Sequence, residues 1–218
     1  MKKEFKDVFS YNYDTDKTAY MNWRLDKNTK ISNMISIANG YIQSSIMLLE
    51  SVIKDNRGKR ADVIIFPIVF NANHGIEVYL KSILWSLNIL LDNDHKAEGK
   101  HDIKQIFQDV KAKMEHFEKN KHIKREFKNM TENLEQYIEE LDEKLNKTSK
   151  NGKYRDNMDF SRYPFNVKYE NHFYVDELDN VVVDLENFLE RLKEIGKNLD
   201  SISRRYLYEF LDPIGKEV

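Results

Sequence analysis

The residues from Val63 to Leu91 restrict what this chain can fold into more than any other stretch. They read VIIFPIVFNANHGIEVYLKSILWSLNILL, and at about 100° per residue they send apolar side chains in most directions. The pattern predicts a helix over roughly 62–92, about 45 Å long, covered on nearly every side. Asp62 is its expected N-cap, and Pro67 in the first turn or two marks where it starts or kinks. His74, Glu77 and Lys81 recur at i, i+3 and i+7, so they share one narrow stripe, with Asn71 and Asn73 one turn earlier. Unpaired buried charge is costly, so something must meet this stripe.

The 218 residues fit one domain, with residues 1–28 as an aromatic N-terminal arm, 29–211 as a helical bundle and 212–218 as a tail. Three Pro and seven Gly are few, which favours long helices over a turn-rich β fold. A net charge of −2 gives no global electrostatic case for nucleic acid, so any such site is a local patch. The absence of Cys removes disulfides, thiolate zinc sites and thiol nucleophiles. The N-terminus has no apolar run of signal-peptide length. The longest run of 63–91 free of Asp, Glu, Lys and Arg is about 14 residues, short of the roughly 20 a bilayer span needs. The expectation is a cytoplasmic protein without membrane contact.

Along the chain, Phe5, Phe9, Tyr11, Tyr13, Tyr20 and Trp23 follow no helical or strand period. The arm they form is expected to lay its aromatics over the bundle rather than to stack nucleobases, because no basic stripe accompanies them. A helix over 29–54, capped by Asn28 or Thr29, carries Ile31, Ile35, Ala38, Ile42, Leu49 and Ile53 on one face. KDNRGKR (54–60) ends it, either as a solvated loop or as part of a phosphate-binding patch. After the central helix and a polar connection (93–100), Asp102 caps a helix over 102–119. Its apolar face is Ile103, Ile106, Phe107, Val110, Met114 and Phe117. The period resumes over 122–146 through Ile123, Phe127, Met130, Leu134, Ile138, Leu141 and Leu145. Residues 147–175 break it, with Asn151-Gly152 as a turn and an aromatic run that suits a loop or a short β-hairpin, Pro164 limiting any strand to an edge. The last helix, about 176–211, alternates spacings of three and four through Leu178, Val181, Leu185, Phe188, Leu192, Ile195, Leu199, Ile202 and Tyr206. That seam predicts an antiparallel bundle helix, with a homodimer seam as the alternative. The fold class is all-α, a bundle of four to five long helices with an insertion before the C-terminal one.

His74, Glu77 and Lys81 admit a structural reading, as a buried network fixing bundle register, and a functional one, as a cleft lined by base, acid and cation. A dinuclear carboxylate metal site needs Glu-x-x-His repeats with further Glu on facing helices. This chain has the reverse order and no partner repeat on another apolar face, so no metal or other cofactor is expected. His101 stands at a helix start, where backbone N–H groups favour anions. Arg162, in SRYP, suits bidentate phosphate or carboxylate contacts, or an ion pair to Glu77 or a nearby carboxylate. Neither P-loop, G-x-G-x-x-G, G-x-S-x-G nor H-E-x-x-H occurs.

The helix pattern P-x-x-F-x-x-x-H-x-x-E-x-x-L-K (Pro67, Phe70, His74, Glu77, Leu80, Lys81), followed by His101-Asp102-Ile103 and by Arg162-Tyr163-Pro164, resembles the HEPN superfamily. It is closest to the abortive-infection and uncharacterised prokaryotic branches. The resemblance covers roughly 30–205. It implies an all-α bundle, commonly a homodimer, in phage-defence or toxin–antitoxin settings, with an antitoxin or defence-system protein as partner. Active members cleave RNA without metal, and others bind RNA, nucleotides or proteins. The Arg, four to six residues, then His of active members has no counterpart here, since Arg162 and His172 are separated by nine. A site rebuilt from His74, Glu77, Lys81, His101 and Arg162 would use a His as base towards a ribose 2′-OH and Lys81 or Arg162 against the phosphorane charge. The alternative is a non-catalytic helical interaction or ligand-sensing module.

Overall fold

A computed structural model describes residues 5–25, 29–92, 101–146, 159–166, 168–176 and 179–214. The Asn151-Gly152 turn, Asn28 and Leu178 lie outside the described residues. The architecture is all-α, as the periodicity predicts. Helix α1 is Lys30–Lys54, α2 Ala61–Leu90, α3 Ile103–Phe117, α4 Lys121–Asn146, α5 Asp159–Arg162, α6 Phe173–Asp176 and α7 Leu185–Arg204, continued by a π-helical segment Arg205–Leu211. Helix α2 packs against α1, α3, α5, α7 and the π segment. It is therefore the centre of the bundle, although by length and composition alone it would also span a bilayer.

The helices start where local chemistry allows. Asp102 and Asp184 accept from the Gln105 and Asn187 backbone N–H groups, capping α3 and α7. Thr29 occupies the α1 cap position without a side-chain cap bond. Asp62 is not the α2 cap: that position is Arg60, and Asp62 lies in the first turn, where its charge complements the helix dipole. Pro67 lies inside α2 and does not start it. Helix α7 begins later than 176, and Val181 is not helical. The β-branched run Val181–Val183 disfavours helix, and the cap at Asp184 restarts the chain.

The core gathers the predicted faces: Ile31, Ile35 and Ile42 of α1, Val110 of α3, Leu134 and Ile138 of α4, and Leu192, Leu199 and Tyr206 of the last helix are all buried. On α1 it is Val52 that is fully buried, with Ile53 only partly so. Close approach of α1, α2 and α7 centres on Ile42. A Cβ at Gly75 would stand 2.8 Å from Ile42 Cγ1, and one at Gly196 would stand 2.6 Å from Ile42 Cγ2. Only glycine admits that side chain from both neighbours at once. Buried serines bond to backbone, Ser45 Oγ of α1 donating across to the Ile68 carbonyl of α2 at 2.9 Å and Ser86 Oγ within α2 to that of Ser82 at 2.9 Å.

Of the two alternatives for the insertion one is met, and the expectation for the N-terminal arm is corrected. The insertion holds no β-hairpin among its described residues; it carries two single-turn helices and one isolated antiparallel bridge, Phe165 to Asn171. It is anchored: Phe160 and Phe173 form a second apolar cluster with Leu141 and Leu145, and Tyr174 Oη donates to the carbonyls of Phe160 at 2.9 Å and Tyr163 at 3.0 Å. The N-terminal arm does not lay its aromatics over the bundle. Phe9 is 90% exposed and Trp23 77%. Its rings meet one another instead, Tyr11 with Tyr20 and Tyr20 with Trp23.

Candidate functional site

Helix α2 delivers His74, Glu77 and Lys81 to one side, as their spacing requires. The Asp102 cap starts α3 so that His101, the residue before it, reaches back onto α2. Three of the five predicted residues, His74, Lys81 and His101, therefore converge on the carboxylate of a fourth, Glu77. Glu77 is 2% exposed. Its Oε1 accepts from Lys81 Nζ at 2.7 Å and lies 3.0 Å from His101 Nδ1. Its Oε2 lies 3.6 Å from His74 Nδ1, too far for a hydrogen bond, and neither of those buried atoms has a hydrogen-bond partner among the described residues. Burial pushes the Glu77 carboxyl up, but His74, Lys81 and His101 together outweigh it and hold the group at about 2. Glu77 is thus ionised and can only accept, so His101 donates to it from Nδ1.

The network is buried at its carboxylate and open at its histidines, His101 being the more exposed of the two at 55% against 27% for His74. His74 is held by rings that the stripe itself did not reveal. Tyr41 of α1 meets it edge-on at 4.4 Å, and Phe70 stacks at 5.9 Å. Phe70 was legible as the residue one turn before His74. Tyr41 was not, because it lies off the apolar face of α1 and only the close α1–α2 contact at Gly75 brings it there. Asn73 is a support, its Oδ1 accepting from Tyr137 Oη at 2.6 Å.

Arg162 does not join the site. Its guanidinium pairs with Asp159, one turn earlier in α5, at 2.7 Å rather than with Glu77. The short helix places the two at i and i+3, and this local partner captures the cation. The other candidate patch, at 54–60, lines an open concavity of about 740 Å³ with Ser51, Lys54, Asp55, Asn56, Arg57 and Arg60. Arg57 is forked onto Asp55 through Nε at 2.9 Å and Nη2 at 2.8 Å. Arg60 is fourteen residues before His74, roughly 20 Å along the helix. Among the described residues no group of three or more His, Cys, Asp or Glu side chains is arranged to hold a metal ion.

Fold and site together define an all-α bundle whose central helix carries a buried carboxylate between a lysine and two histidines. No family model, curated protein or solved structure matches the chain.

Proposed function

We propose that this is a HEPN-like, RNA-directed helical protein whose chemistry, if it cleaves, is a metal-independent transesterification at the Glu77-centred network. The observation that carries the reading is the His101–Glu77 dyad. A buried carboxylate orients the imidazole through Nδ1 and turns its other nitrogen to an accessible surface, the placement that abstraction of a ribose 2′-OH proton requires. The 2′ oxygen would attack the adjacent phosphorus, and the 5′ oxygen would leave with a proton, giving a 2′,3′-cyclic phosphate. His74, whose Nδ1 lies 3.6 Å from the other oxygen of the same carboxylate, is the candidate acid for that leaving oxygen. Lys81 is committed to Glu77, so its part is to balance the buried charge rather than to meet phosphate.

The test is incubation of the purified protein with single-stranded RNA in EDTA, beside His101→Ala and His74→Ala variants. The expected result is cyclic-phosphate ends from wild type and a loss of about 100-fold or more for His101→Ala with unchanged circular dichroism. Wild-type protein that neither binds nor cuts RNA would remove the reading.

A second reading, a helical interaction or ligand-sensing module without chemistry, is favoured by a different observation. Glu77 is sealed and fully engaged on Oε1, as a register-fixing network would be, and the chain is net negative. On that reading His74→Ala and His101→Ala lower stability and leave nothing else to measure.

A further inference from the structure

The first half of α2 keeps one open stripe. Arg60, Val63, Pro67, Phe70 and His74 follow one another at spacings of three and four, so they share a face. Arg60, Val63 and Pro67 are exposed, Val63 at 73%, and Phe70 and His74 are half-buried. Helix α1 carries a matching stripe at the same spacings, Tyr41, Ser44, Leu48, Ser51 and the cap residue Asp55, and none of these five is buried. The helices run antiparallel, joined by the elbow at 55–60. The Tyr41–His74 ring contact at 4.4 Å sets their register, and the Ser45 hydrogen bond to the Ile68 carbonyl repeats it. Ser44 then stands opposite Phe70, Leu48 opposite Pro67, Ser51 opposite Val63 and Asp55 opposite Arg60. The stripes are the walls of one groove roughly 20 Å long, with the histidines at one end and the elbow at the other.

The elbow end opens into the concavity of about 740 Å³, where Lys54, Arg57 and Arg60 stand around a single acid, Asp55. Arg57 is committed to Asp55. Lys54 and Arg60 have no ion-pair partner among the described residues. A chain of net charge −2 thus concentrates positive charge at one end of a groove. At the other end the charge of Glu77 is met by Lys81 and His101. Between the ends the walls are apolar or aromatic, through Leu48, Val63, Pro67 and Phe70. A ligand that suits both parts carries repeated negative charge and flat apolar faces, as a nucleic-acid strand does. Packed helices stand about 8–10 Å apart, so the groove between them admits one strand and no duplex.

We propose that this groove is the track on which an unpaired RNA strand lies, its phosphates held by Lys54 and Arg60 at the elbow and its bases carried along Val63, Pro67 and Phe70 towards His74 and His101. The proposal rests on the RNA reading of the Glu77 network and names the substrate class, single-stranded RNA long enough to reach the elbow. At about 3.4 Å per phosphate along a stacked strand, the groove spans about six nucleotides.

Fluorescence anisotropy tests it, with the full chain and a fluorescein-labelled single-stranded dodecamer of 2′-O-methyl RNA, which lacks the 2′-OH nucleophile and stays intact. Lys54→Ala/Arg60→Ala should weaken binding about 10-fold and lower the slope of log Kd against log salt by about 1.4, two phosphates at about 0.7 each. Val63→Glu, in the middle of the groove, should weaken it about 10-fold by repelling the strand. Lys121→Ala/Arg125→Ala, two exposed cations on α4, should leave it within about 2-fold. Circular dichroism should be unchanged in all three, because every altered side chain is exposed. A wild type that binds no RNA removes the RNA reading and the track together. A wild type that binds RNA while either groove variant binds equally well, or while the α4 variant loses as much, overturns the track alone. A duplex of the same sequence bound as tightly as the single strand also overturns it.

Discussion

Glu77 Oε1 and His101 Nδ1 stand 3.0 Å apart across a separation of 24 residues, with Lys81 Nζ on the same oxygen at 2.7 Å. One atom therefore joins the middle of α2 to the entry of α3. A carboxylate this buried is tolerated only because three cation-capable groups surround it.

Glu77→Gln removes the charge and leaves Lys81, itself 15% exposed, without its counter-ion. Breaking a buried pair from one side costs about 3 kcal/mol or more. Urea unfolding at pH 7 should show that loss, with the slope of the transition unchanged. A loss under about 0.5 kcal/mol would mean the network contributes little to holding the bundle together.

Acid should act through the same group. The folded Glu77 carboxyl titrates at about 2 and an ordinary glutamate near 4.5. A lowered folded value stabilises the protein when the group is ionised in both states. That contribution is complete above about pH 5 and fades as pH falls from there towards 2, by about 3 kcal/mol in all. Asp55, also held at about 2 by its hydrogen bond with Arg57, titrates in the same window. It cancels when Glu77→Gln is subtracted from wild type, so the difference between their pH–stability curves should converge towards pH 2.

His101 and Arg162 should separate cleanly. His101→Ala touches a half-exposed ring and is expected to cost about 1 kcal/mol or less while removing any RNA turnover. Arg162→Ala opens an exposed pair with Asp159, so it should change stability by under about 1 kcal/mol and leave the Glu77 network as it was. RNA turnover lost in Arg162→Ala but kept in His101→Ala would place the chemistry elsewhere.

Gly75→Ala should destabilise by about 1–3 kcal/mol, because the new methyl meets Ile42 at 2.8 Å and the Ala38 carbonyl at 3.1 Å, outweighing the better helix propensity of alanine. The same change should shift the Tyr41 ring from His74. Ile42→Ala in that background should cost less than in wild type, and a thermodynamic cycle measures the coupling. Simple additivity would mean Ile42 does not set the spacing of α1 and α2.

Much of this protein is legible in its residues because helical burial is periodic. The buried faces of α1, α3, α4 and α7 recur every three or four positions. An Asp before an apolar run, as at Asp102, marks a start through local backbone bonds. The stripe of His74, Glu77 and Lys81 is equally local, being one helix read at fixed angles. His101 carried a weaker signal, its place before a cap, and the cap is what aims it back at α2.

Long-range contacts carry no such period. Arg162 reads as a partner for Glu77 only while its distance is unknown; in the fold Asp159, three residues away, reaches it first. Tyr41 enters the site where Gly75 lets Ile42 bring α1 close to α2, which no spacing within α1 records. The arm's aromatic content reads as a cover laid over the bundle, yet composition does not say which surface a side chain meets. The sequence by itself determined the helices, their buried faces and the charged stripe, since those depend on near neighbours. Which carboxylate keeps which cation, and which aromatics stay exposed, was decided by tertiary structure, because those choices depend on competing contacts between elements distant in the chain.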